Sequence, residues 1–311
     1  MSQNSYNSKE LDAIRKKIDT LDNKIHETLI ERAELVLKIG EEKRKNNIEV
    51  VQPAREARMI RRLLQRHRGA LPEMAVVRIW RELVGAVSLL QTGLKVTVAE
   101  SEEDPVYWDL AKDYFGSCLP MTRADSVFSA IKAVQEGRVT FAVVPYPTGM
   151  VKETDALLWW ECLSAGSDNA LSVSVRLPHG DDPEMENPTH KALVISKSGF
   201  DSSDDDHSFI YIECDPSISR GRIAETAEEA GLKPVGLTSK PDGGDVRKHF
   251  LEVKGFVYDE NEAIEQIKEA LGTDKTAIFC VGGYPVPPTY KKTVRPQDDE
   301  FPTAPAEDEK E

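Results

Sequence analysis

Arg32 and Lys43 sit where an apolar helix face has no use for charge. Leu11, Ile14, Ile18, Leu21, Ile25, Leu29 and Ile39 recur at three- and four-residue steps, the spacing of one helix face packed on partners. Arg32 falls midway between Ile25 and Ile39, on the same stripe. Lys43 follows Arg32 by eleven residues, which turns it only about 20° further round a helix of roughly 3.6 residues per turn. Arg55 and Glu56 open the next helical run one turn before Met59 and Ile60, and Gln91 stands on the apolar side of a third run, four residues after Val87. Cations aimed at a buried face must be paired or bind an anion. The competing explanation is a set of surface charges paired i to i+4 along solvated helices. It accounts for any one arginine, but not for Arg32, Lys43, Glu56 and Gln91 together. Arg15 is ambiguous, four residues from Leu11 yet flanked by Asp12 and Asp19.

Three helices must position these groups. The first runs from Leu11 to Lys45 with no Pro or Gly before Gly40, and Asn7 with Glu10 three residues on suits its N-cap. At about 1.5 Å per residue it is roughly 50 Å long, too long for one small core. Pro53 suits the first turn of the second helix, which reaches about His67. The third draws its buried surface from Met74, Val77, Ile79, Trp80, Leu83, Val84, Val87 and Leu90. Helices so unequal leave the long one unsupported. An intertwined homodimer, each long helix packed on its mate, resolves this.

Beyond Lys95 the pattern changes to strands and helices in alternation, the signature of an α/β unit. Strands are expected at 95–99, 139–144, 171–175 and 192–195, with helices at 107–115 and 126–135. Gly199 to Asp206 is expected to be a solvated, mobile linker. After it come strand 208–213, helix 218–231, strands 235–238 and 249–257, helix 261–271 and strand 276–281, a βαββαβ order of ferredoxin-like type. From Thr289 the Pro-rich acidic tail is expected to be disordered. The organisation is therefore multidomain: an all-α segment 8–94, a small α/β segment 95–198, a linker 199–206, an α+β segment 207–288 and a tail 289–311.

Composition narrows the chemistry. The 311 residues carry a net charge of −14, yet Lys9 to Glu82 holds 18 Lys/Arg against 13 Asp/Glu. A basic helical segment can bind nucleic acid, but cations on the apolar face favour a small anion instead. Four separated cysteines, Cys118, Cys162, Cys214 and Cys280, form no CxxC pair, so neither zinc nor a disulfide framework is expected. There is no signal core at the N-terminus and no run of the roughly 20 apolar residues a span requires. A cytoplasmic location follows as the expectation, with no metal, no cofactor, no nucleic acid and no membrane.

The segment Leu11 to Gln91 resembles the AroQ class of chorismate mutase, the all-helical type. The likeness is carried by Leu11-Asp-Ala-Ile-Arg15-Lys-Lys-Ile-Asp19, Leu29-Ile-Glu-Arg32-Ala-Glu-Leu35, Ile39-Gly40-Glu-Glu-Lys43, Pro53-Ala-Arg55-Glu56 and Trp80-Arg-Glu-Leu83 ending at Gln91. It implies a three-helix intertwined dimer that converts chorismate to prephenate, a pericyclic reaction needing no nucleophile, metal or proton relay. It also implies roles. Arg32 and Arg55, with Arg15 from the partner subunit, match the family's carboxylate clamps. Lys43 and Gln91 match the donors to the ether oxygen, and Glu56 the acceptor of the substrate hydroxyl; Lys43, Gln91, Arg32 and Glu56 form the catalytic set. Two positions depart from the pattern: Gln52 where the family often has Asp, and Val87 where it often has a small polar residue. Ser88 replaces the latter only if the helix is rotated.

The remaining chain has its own resemblance. Asp125-Ser-Val-Phe128, Ala133-Val-Gln-Glu-Gly137 and Phe141-Ala-Val-Val-Pro145 are similar to part of a prephenate dehydratase domain. Thr238-Ser-Lys-Pro241, Lys248-His-Phe-Leu-Glu-Val253 and Gly282-Gly-Tyr-Pro285 are similar to the ACT domain that follows it. Yet Pro145-Tyr-Pro-Thr-Gly149 replaces the family's Pro-Ile-Glu-Asn-Ser, and His190-Lys191-Ala192 its Thr-Arg-Phe. The dehydratase segment is expected to be a truncated remnant. The ACT resemblance implies an amino-acid effector near Thr238, Ser239, Lys240 and Pro241. The primary expectation is a chorismate mutase of aromatic amino acid biosynthesis. The alternatives are a bifunctional mutase–dehydratase and a non-catalytic regulatory partner that keeps the fold. Of the weaker motifs, Trp159-Trp160 is expected to be a buried hairpin pair, His179 to Asp182 an ordinary turn, and Gly282-Gly283 too short to hold a phosphate.

Overall fold

The computed structural model describes residues 3–46, 51–99, 106–147, 158–163, 170–181, 191–197, 199–240, 245–272 and 276–291. Three helices come first: α1 (Gln3–Lys45), α2 (Pro53–Arg66) and α3 (Glu73–Thr92). Pro53 stands at the start of α2, where its missing N–H costs nothing. Gly93 closes α3 in the left-handed conformation, at φ 63°. The first helix begins upstream of Asn7, so the cap expected there does not start it. Its apolar stripe is exposed in the single chain: Ile14, Ile18, Leu21 and Ile25 are 49–59% accessible. Between α2 and α3, Ile60, Leu64 and Val77 cluster with Tyr290 from the far end of the chain, with Met59, Leu63, Met74 and Trp80 packed against them.

The rest of the chain is built on one nine-stranded sheet. In chain order come β1 (Val96–Ala99), α4 (Val106–Phe115), β2 (Met121–Ala124), α5 (Val127–Gln135), β3 (Phe141–Pro145), a 3-10 turn (Trp159–Cys162), β4 (Ser172–Leu177) and β5 (Ala192–Ser196). They are followed by β6 (Asp206–Cys214), α6 (Arg220–Glu229), β7 (Lys233–Ser239), β8 (Arg247–Lys254), α7 (Glu262–Leu271) and β9 (Ala277–Pro285). The strand order is β2-β1-β3-β5-β4-β9-β6-β8-β7. The last six elements keep the βαββαβ order expected of them. Strand β2 escaped sequence reasoning because its four residues, Met-Thr-Arg-Ala, carry little alternation and no buried side chain.

The two sheet-bearing units, expected to be separate, are joined. Strands β4 and β9 pair in parallel through Val173 and Gly282. Gly282, at φ 91°, sits so close that a Cβ would come 2.3 Å from the Val173 carbonyl oxygen, and one on Gly283 would come 2.2 Å from that of His207. The glycine pair is thus the sheet junction, where only hydrogen fits. A single core crosses it, with Trp159 and Trp160 packed among Phe209, Tyr211 and Phe250. The tryptophans are buried as expected, but in a 3-10 turn rather than a hairpin.

Two further expectations fail because the helices supply partners that no local pattern reveals, Arg61 for the segment 199–206 and Glu73 for the start of the tail. Arg61 of α2 donates to the carbonyls of Ser203 at 2.6 Å and Asp205 at 2.7 Å, while the Asp206 carboxylate accepts from Ser203 N at 2.7 Å. Ser203 and Asp206 are buried, so the segment expected to be a solvated linker is docked on the helices. The start of the tail is also fixed: Tyr290 is buried, and Lys291 Nζ lies 2.5 Å from Glu73. Residues 292–311 lie outside the described residues. Among the described residues no helix is long and apolar enough to cross a membrane.

Helix α3 is clamped onto α4 and the turn after it. Arg78 pairs with Asp113 at 2.7 Å, and Glu82 accepts from Ser117 N at 2.8 Å and Ser117 Oγ at 2.7 Å. Gly85 permits the contact, since a Cβ there would lie 1.8 Å from the Phe115 carbonyl oxygen. Gly85→Ala must therefore push the helix off the sheet unit. It is expected to cost about 1–3 kcal/mol of unfolding free energy, as overpacking generally does, measured by urea denaturation. A loss below about 0.5 kcal/mol would show that the clamp yields easily.

Candidate active site

A cavity of about 430 Å³ opens where α1, α2 and α3 converge. Helix α1 contributes Arg32, Val36, Ile39 and Lys43; α2 contributes Arg55, Glu56, Arg58, Met59 and Arg62; α3 contributes Val84, Val87, Ser88 and Gln91. Five cations and one carboxylate on apolar walls make a site suited to a small anion. Burial, then Arg55, lowers the Arg32 pKa. Burial, then Arg55, also lowers that of Lys43, with Glu56 opposing. Both cations are thus held at an electrostatic cost that an anion would relieve.

The cavity collects Arg32, Lys43, Arg55, Glu56, Val87 and Gln91. Gln52 is not on its wall but supports it, accepting from Lys43 Nζ at 2.8 Å. One amide N–H of Gln91 is taken by the Val36 carbonyl, leaving its second N–H. Gly40 makes room for that side chain, since a Cβ there would lie 2.8 Å from Gln91 Cγ. Ser88 and Val87 both line the cavity, so no altered rotation of the helix is needed to bring a hydroxyl beside the site.

Arg15 is not brought to this cavity. Its side chain is 66% exposed, 3.5 Å from Asp12. It precedes Arg32 by 17 residues, about 25 Å along the axis at roughly 1.5 Å per residue. No rotamer spans that distance within one chain.

Arg58 and Arg62 were missed from sequence, although a signal was present: they follow Arg55 by three and seven residues, the spacing of one helix face. Glu56 also has a partner that the spacing did not reveal. Arg81 Nη1 of α3 lies 2.7 Å from Glu56 Oε2, with Arg81 5% and Glu56 14% exposed. The Arg81 guanidinium lies 4.3 Å from the centroid of the Tyr114 ring of α4. Burial pulls the Arg81 pKa down, but Tyr114 and Glu56 outweigh it and the net shift is upward.

At the far end of the chain, Thr238 is buried, Ser239 Oγ lies 2.8 Å from His249 Nδ1, and Lys240 Nζ lies 3.0 Å from Glu161. Pro241 lies outside the described residues. Beside the turn at His179, Asp181 pairs with Arg176 at 2.5 Å. Among the described residues no group of three His, Cys, Asp or Glu could hold a metal ion.

Residues 14–92 match the family described as chorismate mutase type II. The N-terminal helices are a chorismate mutase domain. Two curated relatives extend the likeness beyond it, each a bifunctional chorismate mutase/prephenate dehydratase. That of Aquifex aeolicus is 25% identical over 291 residues, covering 87% of this chain and 77% of the relative. That of Pseudomonas aeruginosa is 26% identical over 301 residues, covering 90% and 75%. Among solved structures, the prephenate dehydratase of Arthrobacter aurescens in complex with L-Phe matches 68% of this chain and 92% of its own, with TM-score 0.45 and 11% identity. That of Streptococcus mutans matches 64% and 100%, with TM-score 0.43 and 13% identity.

The mutase domain's lysine yields a pH prediction. A lysine with a lowered folded pKa destabilises the fold while charged, and that cost is relieved as pH rises through the folded value. For a lysine that acts on the substrate as a cation, activity follows the charged form and the order is reversed. The kcat/KM for chorismate reports the free enzyme. It is expected to decline from below the 10.5 of an ordinary lysine, and Lys43→Arg is expected to move that decline to higher pH. An alkaline limb identical in the two proteins would assign the titration to another group.

Proposed function

We propose that this protein is a chorismate mutase whose site is the cationic cavity of the helical domain. The observation that carries the reading is the convergence of Arg32, Lys43, Arg55, Glu56 and Gln91 on one apolar-walled cavity inside that domain. The rearrangement breaks a C–O bond as a C–C bond forms, with no group transferred to the protein. Catalysis then consists of holding a dianion in a compact conformer and placing donors where the ether oxygen gains charge. Arg32 and Arg55 clamp the carboxylates, Lys43 and the second N–H of Gln91 face the ether oxygen, and Glu56 accepts from the hydroxyl. Arg58 and Arg62 add positive field at the mouth, while Gln52 fixes Lys43.

A homodimer completes this site. The exposed stripe of α1 supports it, since apolar residues 49–59% accessible along one face lack cover in the single chain. Packing two long helices together would also bring Arg15 of one chain towards the cavity of the other. The βαββαβ unit supports an ACT-like role, with an amino-acid effector near Thr238 to Pro241. A rise in the unfolding midpoint of the full chain with an aromatic amino acid, absent with alanine, tests it.

A second reading, the bifunctional mutase–dehydratase, is favoured by the relatives' alignments, which run on through the sheet units. One assay separates the two: chorismate loss followed with prephenate and phenylpyruvate quantified separately. Prephenate alone is expected. Phenylpyruvate forming faster than prephenate decays unaided would instead establish the dehydratase. In the same assay Lys43→Ala is expected to lose about 10²–10³ in kcat, the usual effect of removing one such donor. Leu21→Glu with Ile25→Glu is expected to sediment as monomer and lose activity. Normal turnover by Lys43→Ala, or by a monomer, would overturn the corresponding part of the reading.

A further inference from the structure

We propose that Arg81 is a positioning residue for the mutase site, holding the Glu56 carboxylate on behalf of the sheet unit. The inference rests on the role assigned to Glu56 above. Arg81 does not line the cavity, yet its Nη1 lies 2.7 Å from Glu56 Oε2 and its side chain is 5% exposed. A carboxylate free to swing cannot accept from one hydroxyl in one geometry; a charge-assisted bond to a buried guanidinium removes that freedom. The guanidinium is itself located from outside the helical domain. Its Nε makes no hydrogen bond, so its placement depends on Glu56 on one side and on Tyr114 on the other, whose ring centroid is 4.3 Å away and whose hydroxyl also bonds it. Tyr114 is buried with Phe115 and Phe141 in the core of the sheet unit. On the neighbouring turns of α3, Arg78 and Glu82 bind Asp113 and Ser117, so helix and ring keep a fixed separation. The chain of support runs from the sheet core through Tyr114 and Arg81 to Glu56 and the substrate hydroxyl.

The test is a double-mutant cycle on the full chain, reading kcat/KM for chorismate. Arg81→Met is expected to lower it about ten- to a hundredfold in the otherwise natural protein, since small misplacements of reacting groups cost this much. In a Glu56→Gln background the same change is expected to cost less than about threefold, because the group it positions is already altered. Arg81→Lys, which keeps the charge but not the planar fork, is expected to recover part of the loss. Tyr114→Leu leaves Glu56 and Arg81 in place and removes the ring with its hydroxyl; it is expected to lose about three- to tenfold, again only where Glu56 is present. This variant, with Arg81→Lys, carries the test if Arg81→Met does not fold. Equal losses in both backgrounds would make Arg81 a structural residue and overturn the proposal, as would full activity of Arg81→Met. A natural protein that leaves chorismate unchanged would instead overturn the functional reading on which the proposal stands.

Discussion

A guanidinium that is 5% exposed sets the terms for the structure around it. Taking an ion of that size out of water costs several kcal/mol even after relaxation, so a buried charge persists only with a well-placed counter-charge. Arg81 has two sources of compensation, the Glu56 carboxylate and the Tyr114 ring, and they come from different parts of the chain. Glu56 belongs to the helical domain and Tyr114 to the sheet unit. Displacing the sheet unit would take the ring away from Arg81 and leave Glu56 as its remaining compensation. The seam between mutase and sheet is thus an electrostatic constraint as well as an apolar contact.

The same logic explains why the later units are not independent modules. Residues 199–206 bring the carbonyls of Ser203 and Asp205 against Arg61, which answers them with its own N–H groups, while the Asp206 carboxylate holds Ser203. The Gly282-Gly283 step lets β9 lie against β4 and β6 at once. Trp159 and Trp160 fill the space that this continuity encloses. Deleting any one of these units would uncover the core of the next. Two contacts lead from the sheet units to the mutase cavity, the α3–α4 clamp and the docking of Arg61 of α2 on residues 203–205.

Much of the cavity was legible because it is local. Arg32 and Lys43 are set by helical spacing on one helix, Arg55 and Glu56 by adjacency on another, and a 3.6-residue period fixes which face they share. Gln91 and Val87 followed from the same rule on the third helix. Arg58 and Arg62 obey it too, and were hidden only by the number of arginines on α2. Strand β2 was illegible for the opposite reason, being four residues with no periodicity to detect.

The sequence by itself determined the three helices, the cationic character of their common face, the βαββαβ order of the last unit and the resemblance that links the helices to a mutase. Each is encoded in neighbours along the chain, through period, turn chemistry or motif. Only the tertiary structure decided that Arg81 anchors Glu56, that Arg61 docks a segment rich in Ser and Asp, and that the glycine pair joins two sheets. Those outcomes depend on residues 25 to more than 100 positions apart, where no local period relates one side chain to another. Burial, which makes an unpaired charge or a crowding methyl group costly, selects among them only once the chain has closed.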